Sequence, residues 1–206
     1  MQAVLCFAGF DPITYGSAII NRVAYRADKT EEQNILLKSP VKEGISMNRD
    51  KTNVMRVLEQ KKIPYLAHQY PHQEGEAVDG ATVARLLGQD PAAVFKTLVT
   101  KGASGEHYVF VLPVLSELDL KKAARAAGEK SVEMIPVKAI TPLTGYVRGG
   151  CSPIGMKKRL KTVLDVSARE LIQMVVSAGK IGFQVELAPG DLAKAVGAGY
   201  ADLVKE

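Results

Sequence analysis

The order of elements along the chain predicts a mixed α/β domain, in which a curved mixed sheet closes towards a partial barrel and short helices pack outside it. Three observations predict it. Short apolar runs with strand character alternate with short helical stretches, whereas a regular doubly wound parallel sheet wants longer helices between its strands. Two of the runs are separated only by turn residues, which makes a hairpin. And 206 residues, 47 % of them apolar, suffice to bury one good-sized core.

Each element has a local reason. Asn48 to Lys62 places Val54, Met55, Val57 and Leu58 at helical spacing with charge opposite. Ile63 to Tyr70 reads as a strand, and Gly80 to Leu87 as a short helix ended by Gly88. Val94 to Thr100 is a strand entered through Asp90-Pro91, Lys101 to Glu106 is turn chemistry, and His107 to Val114 is a strongly apolar strand. Asp119 caps a helix that runs through Ala127 and stops at Gly128. Val132 to Ile135 is a short strand and Val137 to Leu143 a helical turn. Thr162 to Val166, Met174 to Ser177 and Phe183 to Leu187 read as strands, and Asp191 to Val196 as a helix. No sustained period precedes Ser46-Met47, so residues 1–46 are read as an N-terminal extension and residues 47–206 as the compact domain.

Composition narrows the function classes. No apolar run approaches the ~20 residues that span a bilayer, and the opening VLCFAGF lacks the flanks of a signal peptide, so a cytoplasmic protein without membrane contact is expected. Cys6 and Cys151 form no C-x-x-C pair, and with only His68, His72 and His107 beside them no zinc-type spacing can be assembled. No metal and no cofactor is expected. The net charge is +5. Residues 1–46 hold five basic and five acidic side chains, so the whole excess belongs to residues 47–206, with clusters at Lys121, Lys122, Arg125 and Lys130 and at Lys157, Lys158, Arg159 and Lys161. Such an excess is compatible with a polyanionic partner and equally with a solvated face.

Two features suggest chemistry. In Gly145 to Lys158, GYVRGGCSPIGMKK, four glycines and a proline interrupt the domain. Gly149, Gly150 and Gly155 can take positive φ, Pro153 fixes its own, and N–H groups around Ser152 are then free to meet a ligand oxygen. A bulged strand connection explains the glycines as well. Cys151 is better read as a small residue filling a tight turn than as a nucleophile, because no histidine lies near it in sequence. The second feature is Lys96 in VFKTLV, a lysine among central-strand residues. It shares a side with Val94 and Leu98, opposite Phe95 and Thr97. It either guards a sheet edge or binds a phosphate, carboxylate or polarised carbonyl.

Together Val94-Phe95-Lys96-Thr97-Leu98, Leu118-Asp119-Leu120-Lys121-Lys122, Gly145-Tyr146, Gly149-Gly150-x-Ser152-Pro153-x-Gly155 and Ser177-Ala178-Gly179-Lys180 leading to Glu186-Leu187 resemble the YbaK/EbsC family. These are free-standing editing domains similar to the editing insertion of bacterial prolyl-tRNA synthetase. The resemblance runs from about Asn48 to the C-terminus. It implies a mixed sheet closed towards a barrel and a trans-editing aminoacyl-tRNA deacylase acting on mischarged tRNA(Pro), foremost Cys-tRNA(Pro), with Ala-tRNA(Pro) a relative's substrate. Prolyl-tRNA synthetase is the implied docking partner.

Carried over by position, Lys96 would sit near the terminal ribose and its phosphate, and Thr97 would line the pocket. Gly149 and Gly150, with Ser152-Pro153 and Gly155, would supply backbone wall and N–H donors at the aminoacyl carbonyl, catalysing by position. Tyr70, Tyr146 and Ser177 fall at further pocket positions. In the cysteine-editing members the substrate's own thiol is thought to attack the ester. Two residues depart from the pattern: Gln184 stands where many of those members carry Asp, and Asp79 where they carry an aromatic. Glu186 is retained, facing either the site or a structural partner; His68 and His72 are read as structural. A non-catalytic or regulatory module of the same fold is the alternative. A nucleotide-binding protein is disfavoured, since the glycines fit neither a P-loop nor a dinucleotide fingerprint.

Overall fold

The computed structural model describes residues 51–73 and 77–206. The expected N-terminal extension, its boundary at Met47 and Cys6 lie outside the described residues.

Five helices follow their sequence signals closely. Helix α1 (Asn53–Gln60) starts at Thr52, whose Oγ1 accepts from the Met55 N–H, and it buries Val54, Met55 and Leu58. Helix α2 (Gly80–Leu87) starts at Asp79, whose carboxylate accepts from Thr82 N–H, and helix α3 (Leu120–Ala127) at Asp119, which accepts from the N–H groups of Lys121 and Lys122. Helices α4 (Val137–Thr144) and α5 (Pro189–Val196) have no side-chain cap; α5 instead opens on Pro189, at a position where no N–H is missed. Four of the five end on a left-handed glycine: Gly88, Gly128, Gly145 and Gly197. Helix α1 closes differently. Lys62 takes the left-handed position with φ of 56°, while its N–H donates to Glu59 O and the Ile63 N–H donates to Leu58 O at 2.9 Å. A residue with a Cβ pays about 1–2 kcal/mol for that conformation.

The strands form two sheets. In the first, β1 (Leu66–Gln69), β7 (Phe183–Leu187) and β6 (Met174–Ser177) lie antiparallel in that order. The second has the order β4 (Val132–Met134), β2 (Phe95–Gly102), β3 (His107–Pro113), β5 (Lys161–Asp165) and β8 (Gly199–Ala201). There β2 is antiparallel to both β3 and β4, and β3, β5 and β8 are parallel. Strand β3 is buried on both faces, which explains its unbroken apolar run. Val109 and Val111 point into a core shared with Phe95, Val99, Met174, Val176, Val185 and helix α1, whereas Tyr108, Phe110 and Leu112 pack on Ala123, Ala124 and Ala127 of α3.

The expected mixed α/β architecture is therefore present, but the sheet is in two pieces. They are linked by a single parallel bridge, Val94 to Val175. The strand expected from Ile63 begins only at Leu66, because Ile63 still belongs to the closure of α1 and Pro64 has no N–H to give a ladder. The short edge strand β8 has no clear sequence signal, and the strand expected from Thr162 to Val166 runs instead from Lys161 to Asp165, because the Asp165 carboxylate accepts from the Ser167 N–H and starts a 3₁₀ turn at Val166–Glu170. No helix among the described residues is long and apolar enough to cross a membrane.

Replacing Lys62 by Gly relieves the left-handed strain and adds glycine's extra unfolded-state entropy, a cost of about 0.5–1 kcal/mol. The net is a gain of about 0–1.5 kcal/mol, so thermal unfolding of Lys62→Gly should show Tm unchanged or raised by up to roughly 6 °C. A lowered Tm would mean that the lysine side chain stabilises the fold by more than its backbone costs.

Candidate functional site

Beyond the Val94–Val175 bridge, β2 runs beside β6 without a continuous ladder, and a pocket of about 250 Å³ opens there. Its walls come from β2, from the ends of β6 and β7, from the start of α2 and from the glycine loop. That volume lies below the usual ~300–1,000 Å³ of small-molecule sites and matches a group of about amino-acid size.

Lys96 is half-buried on the pocket wall and donates one N–H to the Val114 carbonyl at 3.1 Å. An ammonium has three donors, so two remain for the pocket. No carboxylate among the described residues forms an ion pair with it. Burial pushes its pKa below the usual lysine value, while the more distant carboxylates of Glu117 and Asp79 oppose that shift. The β4 ladder reaches only Thr100 to Gly102, so Lys96 lies on the stretch of β2 that β4 leaves open, as the edge-strand reading expects.

Two polar side chains in the wall are buried without partners among the described residues: Thr97 Oγ1 and Gln184 Oε1. An orphaned buried polar atom costs about 1–3 kcal/mol, a penalty that a ligand able to hydrogen-bond removes. Gln184 is only 6 % exposed, and the sheet register sets it between His68 of β1 and Ser177 of β6. Ser177 also borders the pocket; its Oγ accepts from the Gly179 N–H. Tyr70 completes the floor, held by its own N–H to the Gly182 carbonyl at 2.9 Å.

Asp79 stands exposed at the rim, and its side chain is the cap of α2, with Oδ2 3.1 Å from Thr82 N. A capping role accounts for an aspartate at this place. Gly149 has φ of 83°, and a Cβ there would lie 2.6 Å from the Ala77 Cβ; a Cβ on Gly150 would lie 3.1–3.3 Å from the Lys180 and Ile181 backbone. The glycines let the loop wedge between two other segments. The Gly150 N–H donates to Val147 O at 3.1 Å and is thereby spent inside the turn. The N–H groups of Gly149 and Cys151 meet no acceptor among the described residues, and both residues line the pocket.

The structure thus brings Lys96, Thr97, Tyr70, Asp79, Gly149, Ser177 and Gln184 to one pocket, but not the rest of the expected set. Tyr146 is an internal strut: its hydroxyl donates to Ile154 O at 2.7 Å and accepts from Asn53 Nδ2 at 3.1 Å. Ser152 is fully buried, its Oγ accepting from Ile154 N–H within the loop. Pro153 and Gly155 border a different cleft. A Cβ on Gly155 would lie 2.7 Å from Asn53 Nδ2, so this glycine is kept to admit the strut. Glu186 faces a structural partner, with Oε2 2.7 Å from His68 Nε2. Cys151 does line the pocket, but burial pushes its thiol up to about 11, leaving roughly one in ten thousand ionised at pH 7. Arg148, also at the pocket, was not singled out from sequence. Its signal was a cation joined directly to two glycines.

A model of the family described as the aminoacyl-tRNA editing domain matches residues 74–195. A protein of Enterococcus faecalis named as a candidate Cys-tRNA(Pro)/Cys-tRNA(Cys) deacylase, EbsC, is 44 % identical over 155 residues, covering 75 % of this chain and 94 % of its own length. A proline–tRNA ligase of Pelobacter propionicus is 29 % identical over 100 residues, 48 % of this chain and 17 % of the ligase. A crystal structure described as a candidate trans-editing enzyme for prolyl tRNA synthetase superposes with a TM-score of 0.65 at 24 % identity, over 75 % of this chain and 96 % of that one, and supports the fold.

Thr97→Val keeps the shape of the side chain and deletes the orphaned hydroxyl. Chemical denaturation should show it as stable as the parent or more so, by up to about 1 kcal/mol; a loss above that size would mean the hydroxyl has a partner in the fold. For the thiol, alkylation of Cys151 in a Cys6→Ser background should accelerate about tenfold per pH unit up to pH 10. A rate that levels off below pH 9 contradicts the raised pKa.

Proposed function

Because this chain belongs to the YbaK/EbsC family of aminoacyl-tRNA editing domains, we propose that it is a free-standing deacylase that hydrolyses the ester of a mischarged tRNA. The observation that carries the reading is the pocket itself: about 250 Å³, with one free-ended ammonium and two unpartnered polar atoms in its wall. Such a volume accommodates a single aminoacyl group. Cysteine on tRNA(Pro) is the proposed substrate, with alanine the next candidate. Both are small enough to enter a proline pocket, and binding alone separates small apolar differences by only ~10 to 200-fold, so a second site must remove the errors.

The chemistry needs little from the protein. An ester is already activated, and attack on its carbonyl carbon by water, or by the substrate's own thiol, develops negative charge on the carbonyl oxygen. The Gly149 and Cys151 N–H groups supply donors at one wall and the Lys96 ammonium a cation at the other. As the bond from carbonyl carbon to ribose oxygen breaks, that oxygen takes a proton and the tRNA leaves. Lys96 and Arg148 also suit the phosphate of the terminal nucleotide. Gln184 offers a neutral carboxamide where a carboxylate is expected in cysteine-editing members, so it reads the aminoacyl group by hydrogen bonding without repelling a thiolate. Prolyl-tRNA synthetase is the proposed docking partner.

Purified protein should deacylate tRNA(Pro) charged with cysteine, or failing that with alanine, while leaving prolyl-tRNA(Pro) intact. Lys96→Ala should lose on the order of 10²-fold or more in single-turnover rate, as removal of one transition-state donor does elsewhere. Folded protein that hydrolyses none of the three substrates would sink the deacylase reading.

A further inference from the structure

The glycine loop that walls the pocket walls a second cleft as well. Gly149 and Cys151 face the pocket, and from Pro153 to Leu160 the same loop borders a separate hollow of about 330 Å³, closed by the end of α1 and the last turn of α5. Cys151 and Pro153 are two residues apart, so the two sites are within about 7 Å of each other along the chain.

The second cleft is strongly basic. Lys61, Lys158, Arg159 and Lys194 border it, and Lys62 borders the shallower hollow that continues it past Lys61 and Lys194. One carboxylate answers these five cations: Asp191, 3.6 Å from Lys194 Nζ. Among the described residues none of the other four forms an ion pair. No aromatic side chain lines either hollow, so neither offers a platform for stacking bases. Fixed positive charge without a stacking platform suits a phosphate backbone read without regard to sequence.

Lys62 adds a separate argument. Every other described helix closes its left-handed position with glycine, and α1 alone keeps a lysine there, in the only positive-φ conformation among the described non-glycine residues. The backbone would be better served by glycine. A strained conformation that the fold does not need points to the side chain as its reason.

We propose that this cleft holds the phosphates of the acceptor end of the tRNA, the strand whose terminal ribose enters the pocket. The inference rests on the deacylase reading for the identity of the RNA, and the loop shared by the two sites sets the order: ester first, then successive phosphates towards Lys158, Arg159, Lys61 and Lys62.

The test is fluorescence anisotropy of the full chain with an uncharged RNA hairpin that mimics an acceptor stem ending in CCA, titrated at several salt concentrations. Lys158→Ala/Arg159→Ala should weaken binding at least tenfold and reduce the slope of log affinity against log salt by about two. Lys62→Gly should weaken it about threefold without lowering Tm, separating RNA contact from folding. Lys101→Ala, an exposed lysine on the β2–β3 hairpin, should bind as the parent does, and changed base pairs in the stem should bind alike. Parental affinity and salt slope in the cleft variants would overturn the proposal. So would equal loss in Lys101→Ala, or a polyglutamate peptide held as tightly through the same residues. Because the RNA carries no ester, the result is independent of hydrolysis. Protein that binds it through the cleft but cleaves no substrate upholds this inference and removes the deacylase, and cleavage without any dependence of RNA binding on the cleft does the reverse.

Discussion

The site depends on one incomplete joint. Two sheets share a core of Phe95, Val99, Val109, Val111, Met174, Val176 and Val185, yet their strands hydrogen-bond to each other only at Val94 and Val175. Had β2 and β6 continued as a ladder past that bridge, their backbones would have closed together and left no room for a ligand. Instead β2 turns towards β3 and β4, β6 pairs with β7, and the space between them is lined by side chains from both sheets. Packing of the shared core fixes the distance across the gap, so the pocket is held mostly by residues that do not line it, Phe95 being the one of those core residues that does both.

That arrangement carries a cost that the core has to offset. Lys96 is kept partly desolvated, and Thr97 Oγ1 and Gln184 Oε1 are buried without partners. Such groups disfavour folding and favour whatever satisfies them. The glycine loop works in the opposite sense. Close backbone approach at Gly149 and Gly150, and the Tyr146 hydroxyl bound to Ile154 O, brace it, so in the deacylase proposed above the Gly149 and Cys151 N–H groups would be positioned before a ligand arrives. Preorganised donors of this kind need no rearrangement during reaction.

Much of this was legible in the sequence, and the misses share a cause. Helix ends were legible because capping aspartates and terminal glycines act within four residues of themselves: Asp119 and Gly128 bound α3 as read. Strand β3 was legible from its unbroken apolar run, and Lys96 from its conflict with its neighbours. The glycine loop was legible as a constrained segment, but not the division of labour inside it. Gly149 lines the pocket, Gly150 gives its N–H to Val147 within the turn, and Gly155 makes room for Tyr146 and for Asn53, whose contacts with the loop span 93 and 102 residues and are encoded by no local pattern. Tyr146 and Ser152 were taken for pocket residues because motif position records which residues matter without recording what they touch. Asp79 is the converse case. The departure from the family's aromatic drew attention, while the Asp79-x-x-Thr82 cap that explains it was plain in the sequence.

Charge is the property that spacing alone conveyed least. The basic excess after residue 46 was visible, yet its clusters came apart in three dimensions. Lys122 pairs with Asp202 at 2.8 Å and fastens the C-terminal segment, and Lys161 donates to Ala127 O and lies over the Tyr108 ring. These cations stabilise the fold. Lys158 and Arg159, neighbours of Lys161 in sequence, are exposed and make no ion pair among the described residues; with Lys61 they edge one cleft, and Lys62 edges the hollow beside it that shares Lys61 and Lys194. A cation held by a carboxylate or a carbonyl has its field largely cancelled locally, whereas unpaired cations grouped in a concave surface add theirs. Placement therefore decides which lysines a polyanion meets, and only folding brings the end of α1 beside the loop that leaves the pocket.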